Sequence, residues 1–185
     1  MFFIAACGPL ESGVIDSGWL NTGGTNDPRR LIVIAYRRMY ESNRIIGARN
    51  VLQRAIELSE KKSDLYALAV SYNMMGDTYI YEEKDPKMAE EYYYRALPIV
   101  QSNKYNCELV ETYIGFALSN ELRGIPGSSC NYALKCKDLM GKIKEEYHNQ
   151  KHPCEGGSEA ISYTEKRLNK LLDHLDCENL LGQQN

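Results

Sequence analysis

The chain is poor in the residues that usually carry catalysis. It has three histidines, three phenylalanines and one tryptophan in 185 residues. Imidazole is the commonest titrating and metal-ligating side chain near neutral pH, so this supply argues against an acid–base or metal-centred enzyme. Positive charge is not in excess either. Lys+Arg is 22 against 25 Asp+Glu, a net charge of −3, which argues against nucleic-acid binding by bulk electrostatics. No apolar run reaches the ~18 residues of a membrane-spanning helix, and mean hydropathy is −0.47. No stretch alternates β-branched and polar residues for long enough to build a sheet. Gly23-Gly24-Thr25 has neither the spacing nor the lysine of a phosphate loop.

What is present is ordinary globular material, 43% hydrophobic and 25% charged, in one domain large enough to bury a core unaided. The six cysteines, Cys7, Cys107, Cys130, Cys136, Cys154 and Cys177, are too sparse for a small disulfide scaffold. They read by default as buried or half-buried thiols, with disulfides open should the compartment be oxidising. His148 and His152 are four apart with Cys154 close behind, but Pro153 ends any helix there and no structural zinc pattern results. No metal or cofactor is expected.

From Asp27-Pro28, an N-cap and first-turn proline, helical periodicity takes over. Stripes run through Leu31, Ile34, Ala35 and Met39, then Ile45, Ala48, Val51, Leu52, Ala55 and Ile56. After a polar break with Ser63 as the expected cap come Leu65, Leu68, Ala69, Tyr72, Met75, Gly76 and Tyr79. Asp85-Pro86 starts a fourth stripe, Met88, Ala89, Tyr92, Tyr93, Ala96, Leu97 and Val100. Ala35, Ala48 and Ala55 share their spacing with Gly76, Ala89 and Ala96, 41 residues later. Small residues recurring in this way let two helices of a pair approach closely where they cross, and a period in this range marks a repeat array. A weaker third unit has Gly115, 39 residues after Gly76. Its turn at Arg123–Ser128 looks lengthened by a few residues. Ser158 is expected to cap a last helix with Ile161, Leu168, Leu171, Leu172 and Leu175 on one side and a polar face on the other.

Two resemblances follow. Tyr72-x-x-Met75-Gly76-x-x-Tyr79, then Ala89-x-x-x-Tyr93-x-x-Ala96, resembles the tetratricopeptide repeat, with one extra residue in the turn at Asp85-Pro86. Arg38 stands where the first unit should have an aromatic. The 39–41 period is similar to the long-repeat variety of kinesin light chains and some bacterial regulators. The resemblance implies an all-α, right-handed solenoid of three helical hairpins over 28–149 plus a capping helix over 158–181. It also implies a concave groove that binds a peptide or protein segment. Carried over by position, the groove residues are Tyr36, Met39 and Tyr40, then Asn73, Asp77, Ile80 and Tyr81, then Thr112, Phe116 and Asn120.

The second resemblance is at the start. Ile4-Ala5-Ala6-Cys7 is similar to the end of a bacterial lipoprotein signal, which implies a lipid on Cys7. Residues 1–27 would then be a signal remnant and flexible linker. Only six uncharged residues precede Cys7, short of a complete signal. The expected function is a non-catalytic interaction scaffold, held at the bacterial envelope through that anchor. The alternatives are a cytoplasmic adaptor or chaperone and a ligand-sensing regulatory repeat. Oligomeric state stays open.

Overall fold

Asp27 and Pro28 start the first helix as their chemistry dictates. The Asp27 carboxylate accepts from the Arg29 amide at 3.0 Å, and Pro28 occupies a position where its missing N–H has no helical partner to lose. The computed structural model describes residues 25–149, 154 and 157–177, with the side chains of residues 159 and 160 left aside. Cys7 and most of the expected linker lie outside the described residues, as does His152. Among the described residues there are seven α-helices and no strand: α1 (Pro28–Tyr40), α2 (Ile45–Lys62), α3 (Leu65–Thr78), α4 (Pro86–Ser102), α5 (Asn106–Leu122), α6 (Pro126–His148) and α7 (Gly157–Leu175). No helix of the described residues is long and apolar enough to cross a membrane.

Each helix packs on the next in sequence. In addition α1 lies beside α3, α3 beside α5 and α5 beside α7, so the odd-numbered helices form a continuous row. The turns share one device, a residue in the left-handed region just past the helix end: Asn43, Ser63, Lys84, Lys104 and Gly124. Ser63 is therefore not the N-cap expected of it. It closes α2 with φ 55°, and the cap of α3 is Asp64, whose carboxylate accepts from the Ala67 amide at 3.0 Å. The extra residue before Asp85-Pro86 is taken up by a π-helical turn, Tyr79–Glu83, which widens the end of α3.

The small residues recur at fixed distances from these turns. Five and twelve residues after Asn43 stand Ala48 and Ala55, and at the same offsets from Lys84 stand Ala89 and Ala96. From Gly124 they are Ser129 and Cys136, and all six are fully buried. The third hairpin thus carries no insertion of a few residues. Its small pair is displaced by one position, and Gly124 followed by Pro126 turns the chain in the ordinary length.

Close approach is most severe at Tyr93 of α4. A methyl on Gly76 of α3 would lie 2.5 Å from its ring, and one on Gly115 of α5 would lie 2.4 Å away. The Tyr93 ring is seated on two glycines from successive hairpins, and no larger side chain could stand at either position without displacing it.

Two disulfides, Cys107–Cys154 and Cys130–Cys177, correct the thiol reading. Their Cα–Cα distances of 5.5 and 5.4 Å are ordinary for bridges. They tie the two flanks of α7 to the N-terminal ends of α5 and α6. Between them α7 buries Ile161, Leu168, Leu171 and Leu175 against Val110, Ile114, Met140 and Ile143, while its opposite face stays polar.

Candidate functional site

The row of odd helices is joined by polar side chains rather than by apolar contact alone. From α1, Arg29 reaches Asp64 at 2.9 Å. Between α3 and α5, the Tyr66 hydroxyl donates to Glu108 at 2.7 Å. There too Asn73 donates to the Glu108 carbonyl at 3.1 Å, and its own oxygen accepts from Thr112 at 2.9 Å. The three α3–α5 bonds are buried, where a satisfied polar network fixes register and an unsatisfied one is costly.

At the middle of the row five helices and the π-helical turn converge on an ionic centre. Asp77 of α3 accepts from the Tyr93 hydroxyl at 2.8 Å and from Tyr40 at 3.4 Å. Arg167 of α7 pairs with Glu111 of α5, lies 3.8 Å from Asp77 and donates to the Tyr81 hydroxyl at 3.4 Å. Thr164 donates to the other Glu111 oxygen at 2.7 Å. Two carboxylates thus face one guanidinium in a setting where the Arg167 side chain is only 14% exposed. Burial raises the Asp77 carboxyl above the ordinary range, against the opposing pull of Arg167 and Tyr93. Burial would lower Arg167, but Glu111, Tyr81, Asp77 and Tyr163 together outweigh it and hold the guanidinium charged. Burial and then Asp77 raise Tyr40 well above the usual phenol value, so it stays a donor. The Tyr163 hydroxyl of α7 is buried with no hydrogen-bond partner among the described residues.

The ten residues expected to line a groove divide. Tyr36, Tyr40 and Tyr81 are half-buried, and Tyr40 and Tyr81 bond into the ionic centre, with Tyr36 ring to ring on Tyr40 at 4.8 Å. Asp77 is buried beneath them. Met39, Asn73, Ile80, Thr112, Phe116 and Asn120 do not form an open surface. Met39 belongs to the core of the first hairpin, and Ile80 packs with Ala89, Tyr93 and Phe116. Asn73 and Thr112 are spent on the α3–α5 seam, and the Asn120 amide bonds back to the Phe116 carbonyl at 2.8 Å. Phe116 points the other way, onto Tyr94 and Tyr132 of the even helices at 4.8 and 5.2 Å.

Sequence reasoning missed Glu111, Tyr163, Thr164 and Arg167. The last three sit on the flank of α7 between its apolar stripe and its solvent face, where a single polar residue carries no periodic signal. The spacing Thr164-x-x-Arg167, one helical turn, was the available sign that both point the same way. Among the described residues no group of three His, Cys, Asp or Glu side chains could hold a metal ion. His174 instead faces Glu121 at 2.7 Å. No family model, no curated protein and no solved structure matches the chain.

Proposed function

We propose that this chain is a tetratricopeptide-like α-solenoid that acts as a non-catalytic scaffold, binding a peptide or protein segment on the face of its odd-numbered helices. One observation carries the reading: the half-buried tyrosines Tyr36, Tyr40 and Tyr81 gather on that face around a fixed ionic centre. Rings with an apolar body and a polar tip, held in place before association, lose little freedom on binding. The seating of Tyr93 between Gly76 and Gly115 supports the stacked-hairpin architecture. The two disulfides favour an oxidising compartment over the cytoplasm. That agrees with a lipid anchor on Cys7 at the bacterial envelope.

Photocrosslinking amino acids test the face. Placed at Tyr36 and Tyr81 in cells of the source organism, they should capture a discrete partner. Placed at the exposed Ile46 and Tyr94 of the even helices, they should not. Equal capture from both sets, or none from the first, would contradict the proposal.

A further inference from the structure

The two disulfides are interleaved. Cys107 pairs with Cys154 and Cys130 with Cys177, each across 47 residues, so each bridge encloses one end of the other. Every half-cystine has a nearer cysteine in the sequence than its native partner. Cys107 has Cys130 at 23 residues, Cys130 has Cys136 at 6, Cys154 has Cys136 at 18, and Cys177 has Cys154 at 23. Loop closure in an unfolded chain falls off as about the 3/2 power of length. Closing 18 or 23 residues is therefore favoured over 47 by roughly 4-fold or 3-fold, and closing 6 by about 20-fold. Two of the four nearest pairings involve Cys136, which among the described cysteines is the one that stays unpaired, buried in the fold. The native map is also non-local: one bridge joins the chain before α7 to α5, and the other joins the chain after α7 to α6.

We infer that this chain is a client of a thiol–disulfide isomerase of the dithiol class, acting after a disulfide oxidant in the same compartment. The oxidant converts four chain thiols to two disulfides, and two of its own disulfides are reduced to dithiols. Reshuffling then changes no oxidation state. The isomerase thiolate attacks a wrong bridge such as Cys130–Cys136, forms a mixed disulfide and releases the other cysteine as a thiolate. A chain thiolate then attacks the mixed disulfide and expels the isomerase thiolate unchanged. Closure of the fold ends the exchange. Cys136 comes to rest on the Val110 carbonyl at 3.6 Å, beyond reach of solvent, and the four bridged cysteines are buried with it.

The experiment is oxidative refolding of the full chain, reduced and unfolded, in a glutathione redox buffer with and without a purified Cys-x-x-Cys isomerase. A Cys7→Ser background removes the sixth thiol. Bridges are mapped by mass spectrometry of peptides cut without reduction. Without isomerase, early species should be dominated by pairs that include Cys136, and the isomerase should speed arrival at the native map at least 10-fold. Cys136→Ser, or Cys136→Ala should the first fold poorly, should remove most of that acceleration. The inference fails if the native pairs form directly, at one rate whether or not isomerase is present. It fails equally if the native protein lacks the crossed pairs.

Discussion

Asp77 shows how one side chain can serve both packing and the candidate site. Its carboxylate collects Tyr93 from below and Tyr40 from the side, with Arg167 nearby. Tyr93→Phe keeps the ring but removes a hydrogen bond to a buried acid. Denaturant melts should show a loss of about 2 kcal/mol. The raised Asp77 carboxyl also sets a sign for pH dependence. Above its ordinary value of 3.8, the folded state holds a proton that the unfolded state has released, so its contribution to stability falls as pH rises through that window. Wild type should therefore lose stability relative to Asp77→Asn as pH rises above that ordinary value, measured by urea unfolding at a series of pH values. A flat difference, or one that rises, would contradict the placement. Neither partner of this centre on α7 was legible, because an isolated arginine between apolar positions reads as surface until the neighbouring helix is known.

At the scale of the helix, α7 is the element whose stability is most conditional. It has no eighth described helix to pack on, and its flanks are held by Cys107–Cys154 and Cys130–Cys177. A bridge closing about 47 residues contributes roughly 4 kcal/mol in the chain-entropy account. Reduction should strip hydrogen-exchange protection from α7 while α1 to α4 keep theirs, and equal loss everywhere would contradict this. The helix starts were readable where Asp stands before Pro, at 27 and 85, because cap and first turn are both local chemistry. The left-handed residue itself was readable at Asn43 and Gly124, which tolerate positive φ, but not at Ser63, Lys84 and Lys104, although the breaks at Ser63 and Lys84 were marked by polar residues and by Asp85-Pro86. The disulfides were unreadable for a related reason. Pairing depends on which helix ends meet, and 47-residue separations carry no local mark.

For the molecule as a whole, the all-helical class and the recurrence of small residues were legible because both follow from side-chain volume and period. The placement of the residues expected to line a groove was only partly so. Position within a repeat located Tyr36, Tyr40, Asp77 and Tyr81 on one face, but could not foresee that Met39, Ile80 and Phe116 turn into the core. The hairpins are joined through the Tyr93 ring, which touches the second hairpin at Gly76 and the third at Gly115. A double-mutant cycle between Gly115→Ala and Tyr93→Leu measures that junction. With Tyr93 present, the added methyl should cost about 1–3 kcal/mol by overpacking. With leucine there, the same methyl should cost nothing or stabilise by up to about 1 kcal/mol, the helical preference of alanine over glycine. An identical cost in both backgrounds would mean that the ring and the glycine do not meet, and that the hairpins do not nest in this way.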